Sequence, residues 1–365
     1  MTVFLLYTIS PVIIDYLVSL CFSNYNNKLN ENKLKIIKLV FTGIVMFLMI
    51  GLRKYTNGSG DSYVYYQHWK SLSAVELEQF SRIVANSEME VGYTVVVFIL
   101  SHIFKEPQFV FILSALFFAI AVCRFVYKNC NDVALAMIVF NSLELFIFMV
   151  QGLRQAVAMG ICLFAIEQCK KRNLWKFIIL IALAMSFHAS AIVFCIVYFI
   201  PLLKINWRSI LAVIAIFGVS TIFISYFFDF VNLFVRDEYN LTQDVVEGTG
   251  VVTVLIYLSV IVAGLLFRPG PDQDEEYHKL YSLFFYLTCT GVFIFSLRNQ
   301  AASITERISF YYAFGQMALI SNLVGNIKNL QTRWAFRIII IALCFGLAVH
   351  KAGYSSLVPY LFFWQ

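Results

Sequence analysis

Charge is scarce in this chain. Asp, Glu, Lys and Arg make up 13% of the 365 residues, against about 25% in a soluble globular domain. Long polar stretches are scarce as well. The longest are 53–90, 229–250 and 268–279, and none is large enough to build a core of its own. A soluble module is therefore excluded. The apolar runs are continuous and do not alternate with polar residues, which excludes a β-barrel. The eight cysteines form no C-x-x-C pair, so they read as small hydrophobes and indicate neither a disulfide framework nor a metal site. Phosphate loops and H-E-x-x-H are absent, and no metal or other cofactor is expected. No continuous basic surface exists to bind nucleic acid, despite a net charge of +6. The first segment has no basic n-region and no small-x-small cleavage site, so it reads as an anchored helix, not a signal peptide.

What remains is apolar. Hydrophobic residues are 61% of the chain, and a membrane span needs about 20 of them in a row. Such runs fall near 2–22, 37–52, 107–126, 132–150, 152–169, 175–189, 190–203, 209–228, 251–267, 280–297, 307–325 and 335–353, with a shorter one at 91–104. This predicts an all-α, polytopic helical bundle of about 12–13 spans. Residues 1–365 form one transmembrane domain in this reading, with 53–90 as a polar loop carrying an amphipathic segment at 74–85.

Basic residues gather in short loops: Lys28, Lys33, Lys35 and Lys38; Lys170, Lys171, Arg172 and Lys176; Lys204 and Arg208; Lys328, Arg333 and Arg337. These mark the cytoplasmic side. Counting forward from Lys170 puts Arg154, His188, loop 229–250 and the stretch before Arg307 on the outer side. Counting backward depends on 91–104. If it crosses, the lysine-rich loop 28–38 lands outside. If it is re-entrant, that loop is inside and 53–90 joins the outer face. The re-entrant version is preferred.

A charge inside a span costs roughly 2.5–3.5 kcal/mol even on mild scales, so each is a candidate for function. Gly152, Ala156 and Gly160 make a small-xxx-small seam for helix packing. Arg154 projects from the opposite face, near Gln151 and Ala158. Its planar fork suits a phosphate group, or else pairs with Glu144. His188, in Phe187-His188-Ala189-Ser190-Ala191, suits proton transfer near neutrality, or is a neutral histidine bonded to a carbonyl. Arg53 ends a span. Gly58-Ser59-Gly60-Asp61 reads as a turn before Tyr63, Tyr65, Tyr66 and Trp69. Asp61 beside these rings suits a sugar, unless the rings are an interfacial belt. Glu90-Val91-Gly92-Tyr93 opens the short apolar run. Arg298 and Glu306-Arg307 stand before Tyr311 and Tyr312, one turn from Arg307.

In order along the chain, Gly51-Leu52-Arg53, Gly60-Asp61, Tyr65, Glu90-Val91-Gly92-Tyr93, Gly152-Leu153-Arg154-Gln155, Phe187-His188-Ala189-Ser190-Ala191 and Glu306-Arg307 resemble the EpsG-like branch of the Wzy-type polysaccharide polymerases. The resemblance spans about 50–310. It implies a GT-C-like membrane glycosyltransferase that polymerises oligosaccharide repeat units carried on undecaprenyl pyrophosphate, without metal, at the outer face of a bacterial plasma membrane. The product is an O-antigen, capsule or exopolysaccharide. A chain-length regulator and a flippase are implied partners. On this reading His188 is the general base, with Asp61 its rival. Arg154 and Arg307, then Arg53, meet the pyrophosphate charge. Tyr65, Glu90, Gln155 and Arg298 complete the substrate-binding set. The chain lacks the large outer loop of other polymerase branches, which argues against a loop-shuttling mechanism. The rival readings are a flippase or transporter, which would show an internal repeat, and another glycan transferase such as a ligase.

Overall fold

A computed structural model describes residues 2–23, 31–54, 60–143, 145–232, 250–297, 302–352 and 360–365. Glu144, Arg298, Gly58, Ser59 and most of loop 229–250 lie outside the described residues.

The described chain is helical throughout. In order come α1 (Thr2–Ser23), α2 (Glu31–Gly51), α3 (Gly60–Ser73), α4 (Phe80–Asn86), α5 (Val91–Ile103), α6 (Gln108–Asn129), α7 (Val133–Ser142), α8 (Leu145–Gln151), α9 (Leu153–Lys170) and α10 (Leu174–Phe187). A 3₁₀ segment, Ala189–Tyr198, follows. Then come α11 (Trp207–Asn232), α12 (Gly250–Leu266), α13 (Glu275–Ser296), α14 (Ala302–Gly325) and α15 (Leu330–Ala352). Among the described residues, five helices are long and apolar enough to cross a membrane: α1, α2, α6, α13 and α15. The outer faces of α1, α2, α6 and α15 carry bare Leu, Ile, Val and Phe, which only a hydrocarbon solvent tolerates in such number. The chain is an all-α polytopic membrane protein.

One expected run is broken: 132–150 divides into α7 and α8. The boundary between the runs 175–189 and 190–203 falls at His188, whose backbone is extended (φ −158°, ψ 116°). The 3₁₀ segment beyond it has its own signature. Ala191, Phe194, Val197 and Ile200 are buried, a spacing of three that matches three residues per turn.

The chain forms two compact units, one of Met1–Cys195 with Lys328–Gln365 and one of Ile196–Ile327. In the first, α6 packs against α2 and α9. A Cβ at Gly160 would stand 2.8 Å from the Phe117 ring and 3.5 Å from Ala121, so the small-residue seam of α9 faces α6. Gly152 instead lies under the Phe148 ring. In α1, Pro11 has no N–H and leaves the Tyr7 carbonyl without its helical partner. Ser10 Oγ donates to that carbonyl at 2.7 Å, and Asn141 of α7 reaches the carbonyls of Tyr7 and Thr8. The bend thus becomes an α1–α7 contact. Arg337 of α15 donates to Asp132 Oδ2 and to Asp15 Oδ2, both at 2.7 Å, and Asp15 also pairs with Lys38 at 2.7 Å. Asp132 in turn caps the N-terminus of α7.

In the second unit α13 packs on α14. A Cβ at Gly315 would lie 2.9 Å from the Thr288 backbone nitrogen, and one at Gly291 3.0 Å from Tyr312 Cβ. Buried tyrosines tie this unit together, with Tyr281 Oη donating to the Gly264 carbonyl and Tyr286 Oη to the Lys204 carbonyl.

Candidate functional site

α5 has 13 residues and is about 20 Å long, short of the roughly 30 Å hydrocarbon core. Glu90 is its N-cap residue. Gly92 brings this end against α10, where a Cβ would sit 2.8 Å from the Ser186 backbone oxygen. No side chain fits there, and the close approach sets Glu90 beside His188, two residues beyond Ser186. The first turn of α9 supplies Arg154 to the same point.

The Glu90 carboxylate accepts three hydrogen bonds. One comes from Arg154 Nη1. His188 Nδ1 lies 3.0 Å from Oε1 and the Ala189 backbone N–H 3.1 Å. Burial alone would raise the Glu90 pKa. The His188 bond and the Arg154 charge outweigh burial and bring it down to about 2, so the carboxylate is ionised at neutral pH. A carboxylate only accepts, so His188 Nδ1 is the donor to Glu90, and Nε2 is the ring nitrogen turned away from it.

Arg154 pairs with Glu90 of the short helix, while Glu144, its alternative partner in the sequence, lies outside the described residues. Glu90, expected to bind substrate, holds Arg154, His188 and Ala189 and so orients His188.

Tyr65 is also placed differently from its expected stacking role. Its ring is buried, 5.7 Å from Tyr93 and 6.4 Å from Phe111, with the Arg154 guanidinium 6.0 Å from its centroid. No face is left for a pyranose. Trp69 is buried with it, whereas Tyr63 is exposed. Asp61 lies in the first turn of α3, half-buried. Gln155 is buried in the first turn of α9. The segment 74–85 forms a 3₁₀ turn (Leu77–Gln79) and most of α4, with Leu77 fully outside.

Arg53 is 3% exposed. Its Nη2 donates to Ser62 Oγ at 2.9 Å, and its guanidinium lies 5.2 Å from the Phe111 centroid. Gln108 holds the turn by donating to the Gly51 and Arg53 carbonyls at 2.7 and 3.0 Å. Residues 360–365 return to this point. Lys54 N–H donates to the Leu361 carbonyl and Phe363 N–H to the Leu52 carbonyl, both at 2.9 Å.

The C-terminal end of α2, the N-terminal ends of α6 and α9 and the C-terminal end of α10 therefore meet at one end of the first unit, with α3 and α5 among them. Lys170 and Asn129, at the C-terminal ends of α9 and α6, meet at the other end, 3.1 Å apart. This favours re-entry over crossing for 91–104. Arg307 belongs to the second unit and is exposed, with Tyr311 and Tyr312 buried behind it; Arg298 lies outside the described residues.

Sequence reasoning did not single out His68, Ser62 or Gln108, and named Tyr93 only within the Glu90–Tyr93 motif. His68 stacks on Tyr93 at 5.8 Å. Burial, with the Arg154 charge, lowers its pKa to about 4, and it stays neutral. The one signal for this group was Gly92, whose spacing from Glu90 marks a close helix approach.

No curated protein and no solved structure matches the chain. A family model described as the EpsG family matches residues 35–362, nearly the whole length. The arginines, the histidine and the carboxylate gathered at one end of the first unit all lie inside that match, and the chain belongs to the EpsG family of Wzy-like polymerases.

Proposed function

We propose that the protein polymerises lipid-linked oligosaccharide repeat units into a surface polysaccharide, by glycosyl transfer from undecaprenyl pyrophosphate at the outer face of the bacterial plasma membrane. The observation that carries this reading is the His188–Glu90–Arg154 relay. Glu90 fixes the His188 ring and its tautomer, and Arg154 keeps Glu90 ionised. His188 Nε2 then takes the proton of an acceptor hydroxyl as that oxygen attacks the anomeric carbon. The bond from that carbon to the pyrophosphate oxygen breaks, and the electron pair leaves with the pyrophosphate. Asp61, at the same end of the unit, is the rival base. The basic loops support an outer position for this end. No metal takes part in the proposed step.

The test is complementation of a deletion strain, with the length of its surface polysaccharide as readout. His188→Gln is expected to leave single-repeat caps on the lipid core at normal protein level, a loss of at least 100-fold in polymer. Normal polymer length in that strain would remove His188 as base. A deletion strain with no caps at all would point to a flippase or ligase and sink the polymerase reading.

A further inference from the structure

A groove of about 510 Å³ runs between α2 and α6 in the first unit. Gly43 sets its floor. A Cβ there would lie 2.8 Å from Cys123 Sγ, so glycine is what lets the two helices close at this level. The walls are Val40 and Ile44 of α2 with Leu116 and Ile120 of α6, each 42–55% exposed. The groove extends from Ile36 to Phe47 on one helix and from Leu116 to Tyr127 on the other. At 1.5 Å per residue, each stretch is roughly 16 Å long. That is the depth of one leaflet, about half of the 30 Å hydrocarbon core.

The two ends of the groove differ. One, at Phe47 and Leu116, is apolar. At the other, Arg124 lines the groove, and Lys35 and Lys128 stand over the Tyr127 ring with their Nζ atoms 5.5 and 5.8 Å from its centroid. Lys35 Nζ is engaged, donating to the Tyr127 and Cys130 carbonyls at 2.8 and 2.6 Å. Arg124 and Lys128 are exposed, and among the described residues no carboxylate pairs with either. A tyrosine among cations is the signature of the headgroup level, and the basic loops give this end to the cytoplasmic side. Exposed cations at that level attract anionic headgroups.

We infer that the α2–α6 groove binds an anionic glycerophospholipid of the cytoplasmic leaflet, with one acyl chain laid across Gly43 and the headgroup at Arg124. The apolar walls hold the chain, and the guanidinium holds the charge. The length of the groove decides the class of lipid, because one leaflet's depth fits an acyl chain and is too short for a polyprenyl chain. Arg124 is near the end of α6 that meets Lys170 of α9 through Asn129, opposite the end that holds Arg53, Arg154 and His188. The site is therefore separate from the proposed relay and does not rest on the polymerase reading.

The test uses the full-length protein in nanodiscs of phosphatidylcholine and reads lipid immobilisation by electron spin resonance. The probes are phosphatidylglycerol and phosphatidylcholine, each spin-labelled near the end of one acyl chain. The wild type is expected to immobilise the phosphatidylglycerol probe in excess. Arg124→Gln is expected to cut that preference roughly fivefold, the weight of one interfacial cation. Arg124→Lys keeps the charge, should keep most of the preference, and guards against a folding artefact. Ile120→Trp fills the groove and leaves the cations in place, and it should free the labelled chain. His188→Gln should immobilise the probe as the wild type does, which separates this inference from the proposed reaction. Equal immobilisation of the two probes by the wild type would mean an annular lipid only and would overturn the inference. So would a preference that survives either Arg124→Gln or Ile120→Trp. Displacement of the probe by a polyprenyl phosphate at lower concentration than by unlabelled phosphatidylglycerol would give the groove to another lipid and overturn it too.

Discussion

Replacing Glu90 by Gln removes one negative charge and almost no volume. The Gln amide cannot accept from Arg154, His188 and Ala189 together, so His188 loses its fixed tautomer and Arg154 its counter-charge. Polymer formation is expected to fall by about 10²–10⁴-fold, the range seen when the orienting carboxylate of a catalytic histidine is neutralised. A strain with Glu90→Gln that makes wild-type polymer would rule out the relay. The pH dependence has a definite sign. A carboxylate lowered to about 2 in the fold, from an ordinary value near 4.3, contributes its full stability above the ordinary value. That contribution is lost as pH falls through about 2. Mild acid between pH 7 and 5 therefore leaves the relay closed. Loss of the Arg154–Glu90 contact in that range would contradict it. At this scale the sequence was a partial guide. Arg154, His188, Arg53 and Glu90 were all identifiable as charges too costly to be incidental. Which of them pair was not, because the Glu90–His188 contact spans 98 residues and no local spacing encodes it.

At the scale of elements, the short helix α5 does most to build the site, and Gly92 lets it approach α10. Gly92→Ala would drive a methyl group to 2.8 Å from the Ser186 backbone oxygen. Backbone cannot retreat as a side-chain tip can, so the helices must part. We expect a loss of about 1–3 kcal/mol, read as a lower Tm in detergent, together with loss of polymer. Ser186→Gly should not restore either, because the clash is with the main chain. Recovery in the double variant would show that the Ser186 hydroxyl was the obstacle. The apolar runs in the sequence located nearly every helix, since hydropathy reports the solvent directly. They did not locate every break. The boundary between 175–189 and 190–203 was legible, but nothing in the hydropathy of 190–203 marks its change to three residues per turn. The burial row Ala191, Phe194, Val197 becomes readable only once the partner surfaces are in place.

For the whole molecule, the first unit is discontinuous in sequence and must be closed by α15. Arg337 makes that closure through Asp132 and Asp15, with side chains 15–23% exposed. Arg337→Met leaves Asp132 without its cation. A deeply buried pair broken in this way costs 3–5 kcal/mol, and partial exposure reduces the figure to about 1–3 kcal/mol. The measurement is thermal unfolding in detergent. Arg337→Lys should fall between wild type and Met, because it keeps the charge but not the fork. An unchanged Tm for Arg337→Met would assign the closure to apolar packing alone. From the sequence, Arg337 and Lys38 read only as members of basic clusters that set sidedness. Their carboxylate partners are 322 and 23 residues away, and such distances are invisible to any periodicity.

The contact between residues 49–54 and 360–365 also sets an order of events during synthesis. Tyr360 and the Met49 carbonyl are 311 residues apart. Closing so long a loop adds little thermodynamic penalty, about 0.6 kcal/mol per doubling of length. It is, however, late in time, because the amino-terminal part of a chain is made and folded first. His188, Glu90 and Arg154 all precede α15 in the chain, while the turn at Arg53 lacks its backbone contacts until residues 360–365 arrive. A nascent chain thus holds the three residues of the proposed relay early and closes the Arg53 turn last.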